Sequence, residues 1–344
     1  MGIFIFMFIA LTMTWMVSSQ LPTKASRTFS WITGFLILWL IQALRYEYIG
    51  TDLQYYVPTF ISDNWDVYDV EKGYVSLNRC LRSFTRNPQL LLTVVSFVSL
   101  FPISYIYKKF SKNICFSYII FASFVVYHFT FSGLRQAIAI GIIVFSFDFV
   151  VKKKIIPFFL CVFAASLFHS SAVIFIIFYP LCNWMKPTDR KFLIGIVIGV
   201  AIIFSLKPIL EILIPMIFGE NKYMGYIEKD TVPAYNLIII IFATFLFTFI
   251  VKNPSKQLQD YRMAVFCAVM CQALGLISST ATRIGYYFIP FIALAIPQAL
   301  FEAHKSKAFK NLTTCGITAF MIFFFFYAYS GGYLEVIPYK FYWE

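Results

Sequence analysis

Apolar residues run along this chain in long unbroken blocks, separated by short polar breaks. Crossing a hydrocarbon core takes about 20 mostly apolar residues, so such blocks read as membrane-spanning helices. Twelve segments are expected, at 2–17, 29–44, 89–107, 114–131, 134–151, 155–168, 170–184, 192–206, 235–251, 263–280, 284–301 and 311–329. The blocks do not alternate over roughly ten residues, which excludes a transmembrane β-barrel.

Composition sharpens this picture. Of 344 residues, 60% are hydrophobic and only 13% are charged, and Phe alone fills 42 positions. A soluble domain carries about 25% charged residues, so soluble enzyme folds are excluded. The expected fold class is an all-α polytopic membrane protein, one integral domain over 1–344. It has about 12 transmembrane helices and two sizeable outer loops, 45–88 and 207–234.

The net charge of +12 is a topology signal. Basic residues gather at every second break: Lys24 and Arg27; Lys108, Lys109 and Lys112; Lys152 to Lys154; Lys186, Arg190 and Lys191; Lys252, Lys256 and Arg262; Lys305, Lys307 and Lys310. These hold 17 of the 28 Lys and Arg, as cytoplasmic loops do under the positive-inside rule. Both termini then face outward, and no nucleic-acid partner is expected. No basic stretch precedes the first block, which argues against a cleaved signal peptide. Residues 155–184 leave a choice between two short segments hinged at His169-Ser170-Ser171 and one tilted 30-residue span. The downstream basic pattern favours two. The opposite loops and the tail from Ser330 to Glu344 carry 12 of the 16 acidic residues, and the function is sought on that outer face.

Cysteine chemistry contributes little. Six of the seven Cys lie in or near apolar segments, leaving Cys80 without an outer-loop partner, so no disulfide framework follows. Cys267 and Cys271 share a helix face, but no His or further Cys completes a zinc set. No Walker loop, HExxH or dinucleotide fingerprint is found, so neither metal nor cofactor is expected.

Ionisable groups at membrane depth are costly and mark functional sites. Three stand out: Arg135, His169 and Arg283. Arg135 follows Ser132-Gly133-Leu134 at an outer turn, where Ser132 and Gly133 can cap the next helix and make an anion site. Arg283 sits at another outer helix start, before Tyr286 and Tyr287. Both could instead snorkel to headgroups. His169 is a general-base or phosphate-partner candidate, or a hydrogen-bonded structural residue. His128 reads as packing. In the first outer loop, Arg45, Asp52, Tyr55 and Glu71 stand out. Arg79, Arg82 and Arg86 share a helical spacing suited to a phosphorylated headgroup or to plain solvation. Asp63, Asp66 and Asp69 share one too, with no further ligand set beside them. In 207–234, the apolar stretch 208–218 before a polar segment suits an interfacial helix with a lid, or a surface loop.

The ordered set Gly50-Thr51-Asp52, Glu71-Lys72-Gly73-Tyr74 with Leu77-Asn78, Ser132-Gly133-Leu134-Arg135-Gln136, Phe168-His169-Ser170-Ser171-Ala172, and Arg283 with Tyr286-Tyr287-Phe288 resembles the EpsG-like branch of the Wzy polysaccharide polymerases. Lys72 departs from the Glu-Pro-Gly expected there. The resemblance implies a GT-C-like glycosyltransferase of the bacterial cytoplasmic membrane with a periplasmic active face. It would polymerise repeat units carried on undecaprenyl diphosphate into O-antigen or a related surface polysaccharide. The growing chain would move onto the non-reducing end of a new lipid-linked unit. Expected partners are the lipid-linked donor and acceptor, membrane lipid and a chain-length regulator protein. Arg135 and Arg283 would hold the diphosphate, with Arg45, Arg79 and Arg82 assisting. Asp52, Glu71 or His169 would accept the proton, and Tyr55, Tyr286 and Tyr287 would contact sugar. A flippase for lipid-linked oligosaccharide, an O-antigen ligase and a sugar acyltransferase are the competing readings.

Overall fold

Helix starts are set by short polar side chains at the breaks. We label the helices in chain order: α1 (Gly2–Ser18), α2 (Thr23–Ala43), α3 (Leu53–Ser62), α4 (Lys72–Arg82), α5 (Pro88–Phe110), α6 (Ile114–Ser123), α7 (Val125–Phe129), α8 (Leu134–Val151), α9 (Ile155–Ser166) and α10 (Phe178–Asn183). Asn87 caps α5 by accepting from the Gln89 amide at 2.9 Å, with Pro88 at the first helical position. Asn113 caps α6 through the Phe116 amide. Ser255 and Ser306 do the same for the helices Lys256–Ala273 and Lys307–Tyr329.

The computed structural model describes residues 1–65, 70–185, 232–274 and 279–344, with scattered positions between 191 and 205. Among the described residues it is helical and has no named strand. Among the described residues, four helices are long and apolar enough to cross a membrane: Pro88–Phe110, Leu134–Val151, Thr282–Glu302 and Lys307–Tyr329. The other expected spans are shorter, more polar, interrupted, or partly outside the described residues. Large apolar side chains face outward on several helices, including Phe6 on α1, Phe163 on α9 and Phe323 on Lys307–Tyr329. A soluble surface does not tolerate so extensive an apolar face, whereas a lipid-facing one requires it.

The chain forms two compact units, Met1–Ile176 with Lys305–Glu344, and Ile177–His304. In the first, α6 is the axis. Every residue of α6 is buried, as befits a helix that is apolar all round, and α1, α2, α5 and Lys307–Tyr329 pack on it. The expected segment 114–131 is therefore two helices, broken at the extended residue Phe124. The charged groups of one end of this unit gather as the basic pattern anticipates. Lys109 and Lys152 pair with Asp148 at 2.5 and 2.7 Å, and Arg27 Nη1 donates to Ser111 O at 3.0 Å.

At the other end, the stretch 45–88 folds rather than loops. Leu53, Val57 and Phe60 of α3 and Tyr74 and Leu81 of α4 share a buried cluster with Leu91, Leu92 and Val95 of α5 and Leu134 and Ile138 of α8. The C-terminal tail straps this region. The amides of Tyr46 and Thr51 donate to Lys340 O and Leu334 O at 2.9 and 3.0 Å. The Tyr342 amide donates to Leu44 O, and Gln54 Nε2 to Glu335 Oε2 at 3.1 Å.

The choice within 155–184 is resolved by the chain reversing at 167–169. Phe158 and Phe175 have ring centroids 6.1 Å apart. In one continuous helix, residues 17 positions apart would lie about 25 Å from each other. The returning limb is a 3₁₀ helix, Ser170–Ile177, followed by α10.

In the second unit, Lys256 Nζ donates to Cys182 O at 2.6 Å and the Ser255 amide to Glu302 at 2.9 Å. These contacts bring Cys182, Ser255 and Glu302 to a common end. The segment expected from 263 begins earlier, at Lys256. Arg262 therefore lies inside a helix, buried, with Nη2 donating to Val251 O at 2.9 Å. The loop expected at 207–234 lies outside the described residues up to 231.

Candidate active site

Four of the motif segments meet at one end of the first unit. Gly50 takes φ +118°, a conformation L side chains rarely adopt, and lies against the Phe131 carbonyl. A Cβ there would sit 2.5 Å from Phe131 O. This packing brings the Asp52 amide to within 3.0 Å of Ser132 Oγ, to which it donates. Ser132 therefore serves the neighbouring turn and does not cap α8, whose N-cap is Gly133. Gly50→Ala combines strain with a steric clash. It is expected to lower stability by about 2–3 kcal/mol, read as a drop in the thermal midpoint of the purified protein.

The first turn of α4 docks on the 167–170 reversal in the same manner. The Gly73 amide donates to Leu167 O at 2.9 Å, and a Cβ on Gly73 would lie 2.6 Å from that oxygen. Lys72 occupies the first helical position and is exposed, a place where Pro is equally at home. The turn is thus made by Gly73, and the departure at Lys72 leaves it intact.

These two dockings assemble the side chains. Arg135 Nη1 donates to Glu71 Oε2 at 2.5 Å, and Arg135 Nε donates to the Tyr56 hydroxyl at 2.9 Å. The other carboxylate oxygen, Oε1, accepts from the Ser170 amide at 3.0 Å and lies 3.1 Å from His169 Nδ1. The approach of the imidazole is poorly aligned for a hydrogen bond. The Glu71, Arg135 and His169 side chains are 18%, 24% and 26% exposed, so the cluster is open to a ligand yet shielded from bulk water.

The electrostatics assign states to two of these groups. Burial pushes the Glu71 carboxyl up, but the His169 ring, the Arg135 charge and the backbone amides outweigh it and hold Glu71 at about 2. Glu71 is then an anion near neutrality and a weak proton acceptor. Burial pushes the Tyr56 phenol up to about 12 against the pull of Arg135. It stays a neutral hydroxyl, accepting from Arg135 with its own proton left to donate. Asp52 is half-buried at the start of α3, close enough to influence Tyr56. Among the described residues its carboxylate has no ion pair.

The remaining predicted residues fall elsewhere. Arg45 is fully buried, with Nη1 donating to Gln42 O at 2.6 Å and Nη2 to Phe131 O at 3.1 Å. It buttresses the Ser132 turn from beneath and faces no opening. Arg79 and Arg82 both turn to Asp63, at 3.4 and 3.7 Å, while Arg86 lies past the end of α4. Asp63 caps the end of α3, and Asp66 and Asp69 lie outside the described residues. Tyr55 is half-buried beside Tyr56, their ring centroids 5.3 Å apart. Arg283 belongs to the second unit, exposed on a 3₁₀ segment that Gln272 pins by donating to Thr282 O at 2.8 Å. Tyr286 and Tyr287 beside it are buried, which withholds their faces from a sugar. His128 is buried against Tyr329, ring centroids 4.4 Å apart, in the packing role expected of it. Tyr56 was not singled out as a site residue. Its position four residues after Asp52, on the buried face of α3, is the signal that would have found it.

The EpsG family matches residues 28–341, and the chain belongs to that family. The matched span contains all five motif segments. No curated protein and no solved structure matches the chain.

Proposed function

We propose that this protein is a membrane glycosyltransferase. It polymerises oligosaccharide repeat units carried on undecaprenyl diphosphate, on the outer face of the bacterial cytoplasmic membrane. The growing chain leaves its lipid diphosphate and joins the non-reducing end of a new lipid-linked unit. The observation that carries this reading is the meeting of the Asp52, Glu71, Arg135 and His169 segments in one half-open cluster. Negative charge builds on the diphosphate as it leaves. A guanidinium fixed by Glu71 and Tyr56 stabilises that charge without reorganising. Nη2 of Arg135 has no acceptor among the described residues and is free for this task. Glu71 is the anchor of Arg135 in this scheme, and the acceptor hydroxyl gives its proton to His169 or Asp52. Arg283 is tested separately as a second cation for the diphosphate.

The test uses cells lacking the protein, complemented with wild type or Arg283→Ala at matched membrane levels. Deletion should leave a single repeat unit on the surface acceptor, and wild type should restore the ladder. Bare acceptor, with polymer or repeat units retained on the lipid carrier, would point to a ligase or flippase. An unchanged ladder in the deletion strain would refute all three.

A further inference from the structure

A polar cavity lies at the far end of the first unit, remote from the Arg135 cluster. It encloses about 190 Å³ where α1 ends, α2 begins and the α5–α6 turn crosses them. Arg27 and Lys112 line it with the hydroxyls of Ser18, Ser19 and Ser26, and no carboxylate contributes. Its volume suits a phosphate group with a few waters.

The chemistry of the lining is specific. Lys109 and Lys152, at the same end, share the single carboxylate of Asp148. Arg27 is held differently. Its Nη1 donates to Ser111 O at 3.0 Å and its Nη2 to Lys108 O. Carbonyl oxygens fix the guanidinium without cancelling its charge. The rim therefore carries positive charge beside serine hydroxyls, of which Ser18 and Ser19 already donate within their own helix, to Trp15 O and Met16 O. Another cavity in this unit, between α1 and Lys307–Tyr329, is lined by Ile5, Phe8, Ile9, Met13, Ile322 and Phe326 with a single hydroxyl, Thr12. That is a surface for acyl chains, and the contrast shows that the polar cavity is not a generic lipid-facing crevice. Basic pockets at helix ends on the cytoplasmic side suit anionic headgroups.

We propose that the Arg27–Lys112 cavity is a binding site for a phosphate-bearing anion, either the phosphodiester headgroup of an anionic phospholipid or free phosphate. The site is independent of the reaction at the other end of the unit.

Two measurements on the full-length purified protein test it. The first is native mass spectrometry after delipidation, with phosphatidylglycerol or phosphatidylethanolamine added back. The second is thermal stability against inorganic phosphate, compared with chloride at equal ionic strength. Preferential retention of phosphatidylglycerol identifies a lipid headgroup. Stabilisation by inorganic phosphate alone identifies the free anion. Lys112→Glu changes the charge by two units and should weaken binding by about 25-fold, at roughly fivefold per unit of charge. Ser26→Asp places an anion in the cavity while leaving Arg27 and its carbonyl anchors in place, and should act in the same direction. It decides the matter if Lys112→Glu does not fold. Equal retention of the two lipids with no phosphate effect would overturn the proposal, as would binding unchanged in the folded variants.

Discussion

Arg135→Ala should leave the surface polysaccharide at a single repeat unit, with transfer slowed about 10²–10³-fold, the usual cost of removing a fixed donor to a developing anion. Arg135→Lys should recover little. A compact ammonium lacks the rigid planar fork that fixes Tyr56 and Glu71 in two directions while aiming a further N–H at the diphosphate. Tyr56→Phe separates positioning from charge. It removes the acceptor of Arg135 Nε at 2.9 Å and leaves the Glu71 pair in place, so a milder loss of about tenfold is expected. The readouts are ladder length in complemented cells and single-turnover transfer on purified lipid-linked units. Membrane levels must be matched, since Arg135→Ala also strips Glu71 of its counter-charge. Full-length polymer from Arg135→Ala would remove the guanidinium from the reaction.

Glu71→Gln is expected to act chiefly on stability. The amide oxygen can still accept from the Ser170 amide, but Arg135 loses its counter-charge. The native carboxyl titrates at about 2, below its ordinary 4.5. Ionised Glu71 therefore stabilises the fold fully above about pH 4.5, and that contribution fades as the pH falls toward 2. Allowing for screening at a part-exposed pair, the contribution is about 2 kcal/mol near neutrality. Thermal midpoints of wild type and Glu71→Gln should differ most at pH 6–7 and converge below pH 4. A gap that persists unchanged to pH 3 would show that the charge is not what Glu71 contributes. The same titration predicts that any acid limb in the transfer rate above pH 5 belongs to a group other than Glu71.

Some of this architecture was legible in the sequence. The blocks behind α5, α8 and Lys307–Tyr329 match their helices within a few residues, because each is bounded by a capping side chain or a basic break. The break at Phe124 was not legible. A helix buried on all sides has no polar face, so its apolar run carries no periodic mark to show an interruption. The folding of 45–88 into α3 and α4 was hidden for another reason: the buried faces of these helices are completed by α5 and α8. At the site, the residue types were readable but their meeting was not. Glu71 lies 64 positions from Arg135 and 99 from Ser170, and Asp52 lies 80 from Ser132. No local pattern encodes such contacts. Arg45 shows the converse. At the edge of an apolar block it reads as an exposed loop cation, yet tertiary packing turns it inward onto carbonyls.

The strap formed by the C-terminal tail imposes an order on biogenesis. Asp52 leaves the ribosome early, but the contact between Gln54 and Glu335 spans 281 positions. The Thr51 amide likewise waits for Leu334. A nascent chain that has inserted everything before Lys307 already carries the Asp52, Glu71, Arg135 and His169 motifs. It still lacks the segment that fastens the Gly50 turn. The fastening of the Gly50 turn is therefore the last of these contacts to form, and an arrested intermediate would present the Asp52 segment unfastened.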